Sequence, residues 1–541
     1  MKHLYLVGNM GSGKSTVGRQ VAQRLGLPFV DLDAYIEQAA GVQIATIFER
    51  EGEPAFRQRE QEALRAVAQM PPQVVATGGG VVLSEANWQL MRQTGWVVYL
   101  RASVNTLWQR VRRSRHRPLL RTETPQATLE AIVNAREPLY QQADWVVPTD
   151  GCTPEQVAEA VLRAFRPTCE IPLTVEVLPQ RSEGYPVLIA PQIVAQFATH
   201  LQARLHPTRV ALLTHPRLQR WATPVRDALE AVGIPAHLIT LPSGERVKSL
   251  RTAERLYTQL LAAGVDRSSA LIIVGGGVLG DLGGFVAATY MRGIPYAQVP
   301  TTLLAQVDSS VGGKVAVDLP QGKNLVGAFH QPALVVVDPE TLTTLPLRHW
   351  RNGFAEMLKY GIALHAGLWQ RLQTMLRQGA LRRRALRDDP YAWLLPIAQC
   401  IRLKAAIVAE DERDLRGKRA LLNFGHTVGH AIEATLGYRR WLHGEAIAAG
   451  MVAEAELGRV LGITPAEVVG TLRETLAYAG LPTHLPRDLS PDALLEAMRY
   501  DKKRAGDALR IVLLEDVGKA RLEPKIPLDA LREALQRCVL S

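Results

Sequence analysis

Three histidines crowd one stretch of the chain, "LLNFGHTVGHAIEATLGYRRWLHGEAIAAG" (421–450): His426, His430 and His443. His426 and His430 stand four residues apart in a segment with helical patterning, so both imidazoles share one helix face. Metal-binding pairs use this spacing. Between them lies Thr-Val-Gly with no glutamate, which excludes the HExxH protease arrangement. His443 offers a third ligand, and Glu356, Glu433 and Glu445 offer carboxylates. Spacing alone favours His426, His430 and His443 as the ligand set, with a proton relay or structural imidazoles as alternatives.

A second kind of chemistry is written near the N-terminus. "GNMGSGKS" (Gly8–Ser15) matches GxxxxGK[ST] without a mismatch, after a strand and before a helix. Such a loop turns backbone N–H groups toward phosphate; Lys14 reaches the β- and γ-phosphates, and the Ser15 hydroxyl is placed for Mg²⁺. The loop specifies a nucleotide and leaves the phosphate acceptor open. In "DLD" (31–33), Asp31 is placed to hold Mg²⁺ and Asp33 to accept from an acceptor hydroxyl. "GEPAFRQRE" carries Arg57, "AREPLY" carries Arg136, and "TGGG" (77–80) leaves backbone bare for a ligand. Two such cations suit an acceptor carboxylate. "RHRPLL" (115–120) reads as a lid.

These five motifs together resemble shikimate kinase over about residues 2–165. The resemblance implies that Asp33, Arg57, Gly80 and Arg136 contact shikimate, with Asp33 catalytic. It also implies that Gly11, Ser12, Gly13, Lys14, Ser15, Thr16 and the lid residue Arg117 serve ATP, with Ser15 and Asp31 on Mg²⁺. Lys14 and Arg117 would then neutralise charge on the transferring phosphoryl group.

Further on, "ALIIVGGGVLGDLGGF" (270–285) reads as strand, glycine turn and helix start, a pattern suited to a dinucleotide. Upstream, "PSGERVK" offers Glu245 and Lys248 as a ribose and phosphate pair; downstream, residues 300–332 pack Asp308, Lys314, Lys323 and Asn324 among small residues, as the floor of a polyanion site would. With "GFAEMLKYG", "LLNFGHTVGHAIE", "LHGEAIAAGM" and "DKK", these segments resemble 3-dehydroquinate synthase from about residue 171 to the end. The resemblance implies zinc on Glu356, His426 and His443, and makes His430 a proton relay, with Lys314 and Asp414 also catalytic. It implies NAD contacts at Ser243, Glu245, Lys248, Gly277, Val278, Leu279, Gly280, Asp281, Thr301, Thr302, Lys314, Lys323, Thr341 and Thr344. It implies a heptulosonate-phosphate pocket of Asp308, Arg292, Lys314, Asn324, Lys359, Lys404, Arg419, Asn423, Lys502 and Lys503. Two positions depart from the family pattern. Asp414 stands where a glutamate is usual, and His215 replaces the acidic adenine-site residue after Thr214.

These residues must be positioned by α/β architecture. Short apolar strands alternate with helices through the first 165 residues, which predicts a P-loop kinase domain with a parallel sheet. "RPTCEI" reads as a linker at 166–171. An α/β NAD-binding domain follows at 172–338, then a mostly helical metal-binding domain at 339–541 with a short hairpin near "ALRIVLLEDVGKARLEP". At 541 residues the chain is too long for one core. Its apolar runs are too short to span a membrane, and its first residues run straight into a strand, so a cytoplasmic location is expected. Four scattered cysteines predict neither a disulfide framework nor a thiolate zinc site.

The net charge of +11 is spread along the chain. The one dense run, "LRRRALR" (381–387), reads as a solvated face, so small anionic substrates are expected rather than nucleic acid. The expected cofactors are NAD, Zn²⁺ or Co²⁺, and Mg²⁺ with ATP. The expected activity is two steps of the shikimate pathway in one chain, with a homodimer through the second half implied by resemblance. The rival readings are another sugar-phosphate cyclase, a zinc/NAD polyol dehydrogenase, or one half acting as a silent assembly module.

Overall fold

The structure is a computed structural model that describes residues 2–112, 122, 124–166, 172–381, 389–414, 417–503 and 509–539. The lid segment with Arg117, most of the basic run, Cys169 and the linker beyond Arg166 lie outside the described residues, as do the side chains of Lys502 and Lys503. The chain divides into two compact units, Met1–Pro167 and Thr168–Ser541.

In the first unit, strands β1 (His3–Val7), β2 (Phe29–Asp31), β3 (Val74–Ala76), β4 (Gly95–Arg101) and β5 (Trp145–Pro148) form one sheet in the order β2-β3-β1-β4-β5. Every pairing is parallel. Central β1 is buried along its whole length, which is why it reads as an unbroken apolar run. Tyr5, Val75, Val97 and Tyr99 pack with Leu64, Trp88 and Met91 in the main core. The P-loop leaves the carboxyl end of β1 and enters helix Lys14–Leu25, whose N-terminus has no side-chain cap. Its free N–H groups face the loop's own anion site.

The second unit opens with β6 (Leu173–Val177), β7 (Tyr185–Ile189), β8 (Val210–Thr214), β9 (Ala236–Thr240), β10 (Ala270–Gly275) and β11 (Tyr296–Pro300). A hairpin of β12 (Lys314–Leu319) and β13 (Gly322–Phe329) interrupts the sheet, and β14 (Leu334–Val337) completes it. The order is β6-β7-β14-β11-β10-β8-β9, antiparallel only at β6–β7. Apolar clusters lie on the two faces, one around Phe197, Val225 and Leu229, the other around Leu256, Leu282 and Val286. The segment 300–332 expected as a binding floor thus has regular structure: Asp308 lies on the helical turn Ala305–Ser309, and Lys314, Lys323 and Asn324 lie on the β12–β13 hairpin, which packs against helix Gly277–Thr289.

The remainder is helical, apart from a hairpin of β15 (Ile511–Asp516) and β16 (Lys519–Glu523) where sequence patterning predicts one. Helices Leu347–Leu364, Leu394–Glu410, His426–Thr435 and His443–Val460 carry the chemistry-bearing residues. The two histidine helices cross closely: a Cβ at Gly450 would lie 2.1 Å from the Gly425 carbonyl oxygen. That approach brings His443 to His426.

Candidate active sites

In the first unit, Lys14 Nζ donates to the carbonyls of Gly8 (2.8 Å) and Asn9 (3.1 Å), so its ammonium is held over the P-loop. Ser15 Oγ donates to Asp31 Oδ2 at 2.6 Å, joining the hydroxyl and carboxylate expected on Mg²⁺. Asp31 comes from the end of β2 and also accepts from Ala34 N, so helix formation fixes its carboxylate. Arg110, which sequence reasoning passed over, donates from Nη1 to the Gly11 carbonyl at 3.2 Å.

The acceptor residues gather on the turn after β3. Arg57 lies against Gly80 so closely that a Cβ there would be 2.1 Å from its Nη1. Arg136 Nη1 donates to the Gly79 carbonyl at 2.8 Å, and Tyr140 Oη to the same oxygen at 2.5 Å. Asp33 Oδ1 and Glu60 Oε1 both face Gly78. Glu60 was not singled out in the sequence. It is buried, accepts from Arg57 Nη1 at 2.9 Å, and leaves Oε1 without a hydrogen-bond partner. Burial raises its pKa, against the pull of Arg57. A cleft of about 420 Å³ opens here with Arg57, Glu60 and Gly80 in its wall.

In the second unit the spacing-based choice of three histidines gives way to a different set. Among the described residues, the donor atoms of Glu356, His426 and His443 converge within 4.8 Å, and those of His430, Glu433 and His443 form a second group. The three imidazoles do pack together, with centroids 5.3 to 5.9 Å apart, but ring proximity does not aim three nitrogens at one point. Glu356 Oε1 lies 3.4 Å from His426 Nε2 and 3.4 Å from His443 Nε2. Ligands about 2.1 Å from a tetrahedral ion stand about 3.4 Å from one another. Glu356 is buried, and its Oε1 has no hydrogen-bond partner. The set therefore fits a divalent ion.

The outer nitrogens are also accounted for. His426 Nδ1 lies 3.2 Å from the Phe424 carbonyl, and His443 Nδ1 lies 3.2 Å from Glu433 Oε2, the pattern by which metal-binding imidazoles are oriented. Glu433 is thus an orienting carboxylate. Glu445 is held elsewhere, by Arg348 and the Leu442 backbone. Burial and the Lys359 charge push His426 down to about 3. Burial opposes charge on His443 too, but Glu356 and Glu433 outweigh it and lift its pKa to about 10.

Beside this centre lies a buried cationic network. Lys359 Nζ is 2.6 Å from Glu356 Oε2. Lys404 Nζ donates to Asp308 Oδ1 (2.8 Å) and to the Asp308 carbonyl (2.9 Å). Tyr360 Oη donates to the same carboxylate at 2.5 Å; sequence reasoning missed it, although it directly follows Lys359. Burial would raise the Asp308 pKa, but Lys404 and Lys359 bring it to about 2. Arg419 is buried and donates to the Glu412 carbonyl at 2.7 Å. Lys314 Nζ lies 2.7 Å from Asp414 Oδ2, so the shorter acid meets its lysine. Asn423 is exposed at the end of the turn Lys418–Asn423. Arg292 is exposed and makes no ion pair among the described residues.

The dinucleotide candidates line the carboxyl ends of β9, β10, β11 and β14. Helix Gly277–Thr289 starts directly after β10 without a side-chain cap and carries Val278, Leu279, Gly280 and Asp281 in its first turns. Lys248 Nζ bonds Asp281 Oδ2 and Asn324 Oδ1, both at 2.5 Å. Lys323 lies 3.5 Å from Glu245 and 3.7 Å from Glu433, linking the hairpin to the histidine centre. Thr301 is buried with an unpartnered hydroxyl, and Thr302 accepts from Ala305 N. Ser243 is exposed. The Thr341 hydroxyl is already engaged with the Asp338 carbonyl and Gln306, and Thr344 accepts from Trp221 Nε1 at 3.3 Å. His215 Nδ1 accepts from Arg217 N, capping its own turn.

Comparison with known proteins agrees with this layout. Residues 10–166 match the shikimate kinase family model, and residues 238–352 and 353–504 match the N-terminal and C-terminal models of 3-dehydroquinate synthase. A 3-dehydroquinate synthase of Symbiobacterium thermophilum is 45% identical over 361 residues, 66% of this chain and 99% of that protein. One from Synechococcus sp. is 42% identical over 362 residues, 66% of this chain and 96% of that protein. The structure of 2-deoxy-scyllo-inosose synthase complexed with carbaglucose-6-phosphate, NAD+ and Co2+ superposes with a TM-score of 0.59 at 26% identity, covering 68% of this chain and 100% of that one. The chain belongs to the 3-dehydroquinate synthase family and carries a shikimate kinase domain ahead of it. No helix among the described residues is long and apolar enough to cross a membrane.

Proposed function

We propose that the chain is a bifunctional cytoplasmic enzyme of the shikimate pathway. The first unit phosphorylates shikimate with ATP, and the second converts 3-deoxy-D-arabino-heptulosonate 7-phosphate to 3-dehydroquinate and phosphate. The observation that carries the reading is the convergence of Glu356, His426 and His443 beside the Asp308–Tyr360–Lys404 network, in a chain that also holds Ser15 on Asp31 behind a P-loop. A homodimer through the second unit belongs to the same proposal.

In the kinase, Arg57 and Arg136 hold the acceptor carboxylate and Asp33 accepts from the attacking hydroxyl. Lys14 supports the β- and γ-phosphates; Ser15 and Asp31 hold Mg²⁺, which screens the phosphate charge. Arg117 in the lid is assigned to ATP.

In the synthase, Glu356, His426 and His443 hold Zn²⁺ or Co²⁺, and the helix Gly277–Thr289 with Lys248, Thr301 and Lys323 holds NAD. Once bound, the metal polarises a substrate hydroxyl and NAD takes up and returns a hydride. Lys359, Lys404, Arg419, Lys314 and Asn324 bind the substrate phosphate and carboxylate, with Asn423, Arg292, Lys502 and Lys503 assigned to the same pocket. Asp308 fixes the Lys404 ammonium, and Tyr360 fixes Asp308. His430, exposed and with its ring against His426, moves a proton to or from the substrate. Asp414 holds the Lys314 head group.

A two-substrate assay tests the reading. The chain should phosphorylate shikimate with ATP, and should release phosphate from the heptulosonate but not from glucose 6-phosphate, whose carba analogue occupies the related structure. Turnover of glucose 6-phosphate in preference to the heptulosonate would replace the second activity with another sugar-phosphate cyclisation.

A further inference from the structure

A helix leaves its first backbone N–H groups without partners inside the helix, and a side chain at its start ordinarily takes one of them. In helix His443–Val460 the capping position is Leu442, whose side chain has no acceptor. The acceptor comes from another helix instead. Gly444 N donates to Asn352 Oδ1 at 2.6 Å, and Asn352 lies on Leu347–Leu364, the helix that carries Glu356.

Arg348, Asn352 and Glu356 stand four residues apart on that helix and share one face. Each holds one of three consecutive residues at the start of the His443 helix. Arg348 pairs with Glu445 through Nε at 2.7 Å and Nη2 at 2.8 Å, and Asn352 takes the Gly444 N–H. Glu356 Oε1 stands 3.4 Å from His443 Nε2. At the middle of this row the two backbones nearly touch: a Cβ on Gly444 would lie 2.1 Å from the Asn352 carbonyl oxygen and 2.8 Å from its Cα. Any side chain at 444 would push the helices apart. The Arg348 side chain is 56% exposed, so its ion pair contributes little. The Asn352 bond is partly buried and satisfies a donor with no partner in its own helix, so its loss costs more.

Glu356 and His443 belong to different helices, so the docking of those helices sets the distance between their donor atoms. We infer that Asn352 is a positioning residue of the metal centre: by capping the His443 helix from the Glu356 helix, it fixes the separation at which Glu356 and His443 meet a divalent ion. Asn352 supplies no ligand atom. The inference rests on the metal site proposed above.

Chelator competition on the full chain measures the zinc dissociation constant without turnover, and visible absorption of the Co²⁺-loaded chain reports ligand geometry. Asn352→Ala should weaken zinc by at least about tenfold and alter the Co²⁺ spectrum, the scale at which groups behind metal ligands act. Asn352→Asp keeps an acceptor oxygen and should bind zinc within about threefold of the unaltered chain, because a carboxylate accepts from a backbone N–H at least as well. Asn352→Ser, with a shorter reach, should fall between the two. Near-ultraviolet circular dichroism of the metal-free chains is the control for folding. Unchanged zinc affinity and an unchanged Co²⁺ spectrum in Asn352→Ala, or in Asn352→Ser if the alanine chain does not fold, would overturn the inference and leave the metal site standing. A loss in Asn352→Asp as large as in Asn352→Ala would overturn it too. Failure of the unaltered chain to bind zinc would overturn the metal site and the inference together.

Discussion

Glu433 Oε2 stands 3.2 Å from His443 Nδ1, on the far side of the imidazole from the Nε2 that meets Glu356. The carboxylate thereby fixes which nitrogen faces the metal and raises its basicity. Glu433→Gln should therefore weaken zinc binding by about 10- to 100-fold in a chelator competition, with little loss of turnover once metal is saturating. Unchanged zinc affinity would show that His443 needs no such support.

Lys314 and Asp414 make the second test. Asp414 has φ 58°, a left-handed conformation that Asp and Asn tolerate better than other side chains. Asp414→Asn keeps that backbone and removes the charge facing Lys314. The synthase kcat/KM should fall by about tenfold, roughly the loss of one charge-assisted hydrogen bond, while kinase turnover serves as the internal control. An unaffected synthase would assign Asp414 to the loop alone.

Glu454 predicts a pH dependence of stability. It is fully buried and accepts from Gly425 N (2.6 Å) and Val428 N (3.1 Å) at the start of the His426 helix. Burial outweighs these bonds and raises its pKa from 4.5 to about 8. The folded chain keeps a proton that the unfolded chain releases across this window. Stability should fall as pH rises from 4.5 to about 8 and level off above it. Glu454→Gln, neutral at every pH, should lose this component, about 1.4 kcal/mol for each pH unit inside the window. Denaturant unfolding near pH 5 and near pH 8.5 checks it. Identical pH profiles for the two proteins would mean Glu454 is ionised in the native state.

Much of both sites was legible because their chemistry depends on short spacings. The P-loop spans eight consecutive residues and Asp31 ends the next strand, so sequence order alone brings Ser15 toward Asp31. The metal set was not legible from spacing. Its third ligand, Glu356, comes from a helix that precedes the histidines by 70 residues (426 − 356), and only the packing of that helix on His443–Val460, close where Gly444 meets Asn352, aims its carboxylate between two imidazoles. Family resemblance supplied that choice. Glu60, Tyr360 and Glu454 were passed over because each looks like an ordinary helical residue until burial and partners are known. Strands β9 and β11 are five residues long and mix polar with apolar side chains, and β5 is only four residues long, so only their neighbours in the sheet define them.

The kinase half stands or falls on Lys14 and Ser15. Lys14→Met and Ser15→Ala should each lower shikimate phosphorylation by at least about a hundredfold, since phosphoryl transfer relies on these charges. Phosphate release by the synthase half should be unaltered. Retained phosphorylation in Lys14→Met would contradict the assignment of the P-loop.

The most direct test of the central claim is phosphate release from 3-deoxy-D-arabino-heptulosonate 7-phosphate with catalytic NAD⁺ and Zn²⁺, no ATP, and a parallel reaction in chelator. Release that stops in chelator and leaves no net NADH is the predicted result, because the hydride taken by NAD⁺ is returned before product leaves. Stoichiometric NADH would instead make the second unit a polyol dehydrogenase, and release indifferent to chelator would contradict a metal on Glu356, His426 and His443.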